Sequence, residues 1–194
     1  NEGIHNALPD DLIIVGDIDE IPKLNNLKFN NLKNKILVFK QKMFYYKLNL
    51  FYKELAWNGS RACSKKRLKS PQWLRNIKSK KFGWWRIDTL FSKKKYQNVR
   101  IVDNGGWHFS YLKKPESIKK KLQSYLHHID YDRNPLDTDQ ISKIIKEKKT
   151  IYDLKVDQKE KKFKAQNTLI KIDDLEMPNY VTSNLNKFAE WIEK

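Results

Sequence analysis

One run limits what this chain can fold into: Asp11-Leu12-Ile13-Ile14-Val15-Gly16-Asp17-Ile18-Asp19-Glu20-Ile21-Pro22. Leu12 to Val15 are apolar and three of the four are β-branched, the pattern of a strand buried on both faces. The strand ends at Gly16 and gives way at once to Asp17, Asp19 and Glu20. In open α/β sheets ligands bind outside the carboxyl ends of the strands. Two acids two residues apart in extended backbone lean to the same side. Two hard oxygen donors at such an edge suit Mg²⁺ or Mn²⁺ carrying substrate phosphates. Asp-x-Asp also occurs at Asp130/Asp132 and Asp137/Asp139, but only Asp17/Asp19 follows a buried-strand pattern. Asp137 reads instead as a helix N-cap with Gln140 at the capping-box position, and Asp130/Asp132 as a polar loop. The plain alternative for Asp17/Asp19 is a solvated strand-to-helix turn, with Pro22 at a helix N1 position.

At 194 residues the chain is expected to form one α/β domain with a full core. Cys63 is the one cysteine, so no intramolecular disulfide can form. No apolar run approaches the roughly 20 residues of a bilayer-spanning helix. The net charge of +17 suggests nucleic acid, but only six of the 40 basic residues are arginine. Base and phosphate readers lean on arginine forks, and no nucleic-acid motif accompanies the lysines. A field of this sign still attracts anionic ligands such as nucleoside diphosphates and acidic glycans.

Periodicity and punctuation predict a helix from Pro22 to about Lys33. Strands are expected at 36–40, 43–52, 60–64, 84–90 and 99–102, with an extended stretch at 107–112. Ser70-Pro71, Pro115 and Asp137 each open a helix, and 178–193 reads as mostly helical. Lys155 to Lys164 reads as exposed loop, and His127 and His128 as a helix end. Trp84-Trp85 and Tyr45-Tyr46 read as core or groove lining.

The acidic block after its apolar strand resembles the signature of glycosyltransferase family 17, whose animal members are the β-1,4-mannosyl-glycoprotein 4-β-N-acetylglucosaminyltransferases. Three further stretches are similar in order and spacing: Gln41-Lys42-Met43-Phe44-Tyr45-Tyr46, Gly106-Trp107-His108-Phe109-Ser110-Tyr111 followed by Pro115-Glu116-Ser117-Ile118, and Pro178-x-Tyr180 with Asn184 and Phe188. The acidic block and the Gly-Trp-His-x-Ser block together are quite specific. The resemblance implies a GT-A-like (Rossmann-like) mixed sheet flanked by helices. It also implies that N-terminal strands of that domain are missing, since few residues precede Leu12. The strand at Leu12 would then lie at or near a sheet edge.

The activity so implied is metal-dependent, inverting transfer of N-acetylglucosamine from UDP-GlcNAc to a glycan hydroxyl. Mn²⁺ or Mg²⁺ would be held by Asp19 and Asp17, with His108 as a further metal or phosphate ligand. Lys42 is a candidate diphosphate contact, and Trp107 a candidate sugar-stacking face. Inversion needs a base for the acceptor hydroxyl, and Glu20, Glu116 and Asp130 are the candidates. The expected setting is cytoplasmic, in a microbial or viral-encoded enzyme, with a peripheral membrane location left open. Two rivals stand beside this reading. One is a haloacid-dehalogenase-like phosphohydrolase with Asp17 as nucleophile and Asp19 as general acid. The other is a basic nucleic-acid-binding module without catalysis.

Overall fold

The computed structural model describes residues 2–25, 27–32, 35–80, 82–89, 91–124, 131–132, 135–151, 167–173 and 176–194. Among these, seven strands form one mixed sheet: β1 (Leu12–Val15), β2 (Glu20–Pro22), β3 (Ile36–Tyr45), β4 (Leu50–Ser64), β5 (Val99–Val102), β6 (Gly106–Ser110) and β7 (Ile170–Lys171). The strand path is β1-β4-β3-β6-β2, with β5 on β3 and β7 on β4. The α-helices of the described residues include α1 (Pro71–Arg75), α2 (Pro115–Ser124), α3 (Thr138–Lys146) and α4 (Asn179–Thr182). The fold is thus mixed α/β.

The chain divides into two compact units, 1–42 with 56–108 and 43–55 with 109–194. Strands β3, β4 and β6 contribute residues to both.

In the first unit β1 pairs antiparallel with the end of β4, Leu12 facing Ser64 and Val15 facing Arg61. β5 runs parallel to the start of β3, and β2 pairs antiparallel with β6. The expected strand at Leu12 is present and lies at the end of the strand path, the edge position expected, but only Ile13 of it is buried. Its unbroken apolar run has a simple cause. Leu12 and Ile14 pack against Leu32, Leu37, Phe39 and Ala62. Val15 packs against the other cluster, Ile36, Val38, Cys63, Leu74, Ile77 and Val99.

β1 and β2 stand at opposite ends of the path, yet only Gly16 to Asp19 join them. Glu20 on β2 bonds Trp57 and Ser60 on β4, three places along the path, where flat strands would stand about 14 Å apart. The sheet of this unit therefore curls, and side chains from four of its strands meet on the concave side.

Several expected elements differ. The helix predicted from Pro22 is instead β2 followed by a 3-10 turn at Phe29–Leu32. Pro22 closes a three-residue strand at the end of the path, where its missing N–H costs no ladder bond. Where a strand is predicted at 84–90, the described residues 84–89 form a loop with a 3-10 turn at Ile87–Thr89, and Trp84 and Trp85 are surface residues, not core. Ser70 caps α1 by accepting from Trp73 N at 3.0 Å, with Pro71 at N1 as expected.

In the second unit Tyr45 packs against Tyr46, Tyr52 and Tyr111, with ring centroids 5.6, 6.1 and 5.9 Å away. Phe44 does the same with Phe51 and Phe109. Helices α2 and α3 pack together, burying Ile118, Leu122, Ile141 and Ile144. The Asp137–Gln140 capping box opens α3 as its sequence predicts. The segment 178–193 is helical only in pieces, α4 and a 3-10 stretch at Leu185–Trp191. The loop expected at 155–164 and the pair His127/His128 lie outside the described residues.

Cys63 is wholly buried, and burial pushes its thiol up to about 11. At pH 8 only about one thiol in a thousand is thiolate, the reactive form. The folded protein is therefore expected to resist alkylation by iodoacetamide at pH 8. Labelling should appear only when denaturant crosses the unfolding transition. Rapid stoichiometric labelling of the native protein would contradict the buried placement.

Candidate functional site

The site is built in the first unit by two short strands and the turn before them. Asp17 to Glu20 form a tight turn, Glu20 N donating to Asp17 O at 3.1 Å. Glu20 Oε2 accepts from Asp17 N at 3.1 Å, closing the turn from its other side. The same oxygen accepts from Ser60 Oγ at 3.0 Å, and Oε1 accepts from Trp57 Nε1 at 2.7 Å. Three donors on one carboxylate make Glu20 an anchor that fixes the turn to β4. Ser60 Oγ also receives Gln41 Nε2, at 3.5 Å. Gly59 lets these groups meet: a Cβ there would collide with Gln41 and come within 2.9 Å of the Glu20 carboxyl carbon.

Across the β2–β6 ladder Glu20 faces His108, Ile21 faces Trp107 and Pro22 faces Gly106. Directly opposed residues share a face, so His108 joins Glu20 on the concave side. It is buried, and its ring lies edge-on to Trp57 with centroids 4.8 Å apart. Its Nε2 is 3.5 Å from Asp19 Oδ2, an ion-pair distance rather than a tight hydrogen bond. Two buried polar atoms here have no hydrogen-bond partner, His108 Nδ1 and Gln41 Oε1. Orphaned atoms of this kind call for an explanation such as a water, an ion or a ligand group.

The two acids of the motif turn to different partners. Asp17 Oδ1 pairs with Arg75 Nη2, at the end of α1, at 2.7 Å. Arg61 lies close by, holding Ile77 O, Gly59 O and Ser79 Oγ with its three nitrogens. Burial pushes the Arg61 guanidinium below its ordinary value, Arg75 adds to the push, and Glu20 and Asp17 oppose it. The acidic turn is thus backed by two arginines.

Among the described residues no three His, Cys, Asp or Glu side chains gather as a complete metal cage. Asp19 and His108 supply one carboxylate and one imidazole. That set fits a divalent ion whose remaining positions are filled by substrate phosphates and water, the usual habit of Mg²⁺ in phosphate chemistry, and the unpartnered His108 Nδ1 is a further buried donor or acceptor beside it.

No family model, no curated protein and no solved structure matches this chain.

Of the residues singled out from sequence, Asp19, Glu20 and His108 come together, whereas Asp17, expected beside Asp19 as a metal ligand, shares only the turn and gives its carboxylate to Arg75. Trp107 neighbours His108 on β6 but leaves the strand on the opposite face, buried, with Lys23 Nζ 5.7 Å from its ring centre. Lys42 follows Gln41 on β3 and by the same alternation also points to the other face. Glu116 is exposed in the first turn of α2, in the second unit. Asp130 lies outside the described residues. Sequence reading missed Gln41, Trp57, Ser60 and the two arginines. Gly59 falls between the strands expected at 43–52 and 60–64, and only the continuous fifteen-residue β4 makes it a strand-interior glycine, which often marks a close approach.

Proposed function

We propose that the first unit carries the donor site of a metal-dependent, inverting glycosyltransferase that moves N-acetylglucosamine from UDP-GlcNAc to a glycan hydroxyl. One observation carries the reading. The two sequence blocks that resemble the glycosyltransferase family, some ninety residues apart, are neighbouring strands in register, Glu20 on His108 and Ile21 on Trp107. That pairing sets Asp19 beside His108.

In this reading Asp19 and His108 would hold Mn²⁺ or Mg²⁺, which would supply positive charge against the leaving diphosphate. Glu20 positions the turn: its carboxylate, engaged by Trp57, Ser60 and the Asp17 amide, fixes where Asp19 stands. Arg75 offsets the charge of Asp17, which lowers the repulsion a diphosphate would meet at an acidic turn. The base that takes the acceptor proton is a separate group or a second role for Glu20.

Calorimetric titration of the protein with UDP-GlcNAc tests the proposal. A binding heat is expected with Mn²⁺ present and should vanish on adding a chelator. No heat with Mn²⁺, or the same heat with and without it, would overturn the metal-bridged donor site.

A further inference from the structure

We propose that the loop between Lys78 and Lys94 docks the protein onto an anionic lipid surface. The proposal stands apart from the donor-site reading and neither rests on the other. The loop is held shut at its base, Lys78 N donating to Lys94 O at 2.8 Å. Arg86, Asp88 and Thr89 are held by polar partners in and just beyond the loop. Arg86 grips Asp88 with Nε and Nη2 at 2.7 and 2.9 Å, and Lys95 Nζ reaches the same carboxylate at 2.8 Å. Gln97 Nε2 donates to Trp84 O at 3.3 Å and to Thr89 Oγ1 at 3.1 Å.

With the polar groups so engaged, the large apolar side chains are left outside. Trp84 is 85% exposed, Trp85 67%, Ile87 68% and Phe91 87%. The Trp84 and Trp85 rings meet edge to face, centroids 6.2 Å apart, and four such residues within eight positions exceed the scattered exposure normal for a surface. Lys78, Lys80, Lys93 and Lys94 are exposed around them. The only acid in 78–97, Asp88, is already bound by two cations.

Tryptophan and phenylalanine beside lysine form the composition of a membrane interface, with rings at the headgroup level and ammonium groups on anionic lipid. Protein–protein interface cores are instead depleted in lysine, and two-fold pairing of this loop with its own copy would set lysine against lysine. The net charge of +17 favours the same anionic surface.

Co-sedimentation with vesicles tests this. The protein should bind vesicles of phosphatidylcholine mixed with phosphatidylglycerol, bind phosphatidylcholine alone far more weakly, and be released by salt. The double substitution Trp84→Ser with Trp85→Ser should cut partitioning about tenfold or more. Both side chains are exposed, so the unfolding midpoint should hold; if it falls, Phe91→Ser carries the same expectation. Equal binding of parent and variants would show that lysines elsewhere are responsible and would overturn the proposal. So would equal binding to neutral vesicles, or no binding to either kind. Concentration-dependent self-association that is lost in the variants, without vesicle binding, would assign the loop to a second copy of this chain instead.

Discussion

Replacing Gly106 with alanine is expected to lower the unfolding midpoint by roughly 10 °C in a chain of this size. Gly106 opens β6 with φ +129°, a conformation in which a side chain is strained whatever the space around it. The space is also missing. A Cβ there would collide with the carbonyl oxygen of Ile21 and come within 2.8 Å of Lys23 N and 2.9 Å of Pro22 Cα. These are backbone atoms of the paired strand and its continuation, so no rotamer change relieves the overlap. Strain and overpacking together are expected to cost about 3–5 kcal/mol. Gly3→Ala is the control, since a Cβ there meets nothing within 4 Å. A midpoint for Gly106→Ala within about 2 °C of the parent would mean that β2 does not lie on β6 as described. The substitution also pushes β2 away from β6, so the Asp19–His108 approach should be lost with it.

The elements that sequence reveals here are those fixed by neighbours a few residues apart. The Asp137–Gln140 capping box and the Ser70-Pro71 helix start depend on residues within one turn, and both are present. Ile118 and Leu122, one turn apart, are buried together on α2 as their spacing predicts. The misreadings arise where a distant partner decides. Pro22 has the chemistry of a helix start, but β6 arrives some eighty residues later and takes the segment as a strand. Trp84 and Trp85 have the composition of a core, but Asp88 gathers Arg86 and Lys95 into a polar knot that leaves the indoles outside. The site divides in the same way. Asp17, Asp19 and Glu20 stand out as one local run. The groups that hold Glu20 come from the middle of β4 and, through Ser60, from β3, and no local pattern could name them. The turn itself was half legible. Two acids in an extended run should share a side, but the hydrogen bond from Glu20 N to Asp17 O makes a tight turn there, and Arg75 draws Asp17 to its own partner.

That division of labour between Asp17 and Asp19 leads to an ordering of substitution effects. Asp19→Asn keeps the shape of the side chain and removes its charge next to His108. If Asp19 holds the ion that bridges the donor diphosphate, UDP-GlcNAc turnover in Mn²⁺ should fall about 100-fold or more, the usual scale for losing a preorganised electrostatic contact. The Mn²⁺ concentration giving half-maximal rate should rise as well, which a purely structural lesion would not cause. Asp17→Asn should cost much less, about tenfold or below, because Arg75 already offsets that carboxylate and the pair is half exposed. Glu20→Gln separates the remaining roles. Its amide nitrogen would have to face one of three donors, so stability should fall by about 1–3 kcal/mol. If Glu20 only positions the turn, turnover should fall in step with the folded fraction and the Mn²⁺ response; if it is the base, turnover should collapse in protein that is still folded. Equal losses for Asp17→Asn and Asp19→Asn would mean that both acids bind the ion and that the Asp17–Arg75 pair opens on loading. An unchanged rate for Asp19→Asn, in a protein that turns over UDP-GlcNAc, would remove Asp19 and with it His108 from the donor site.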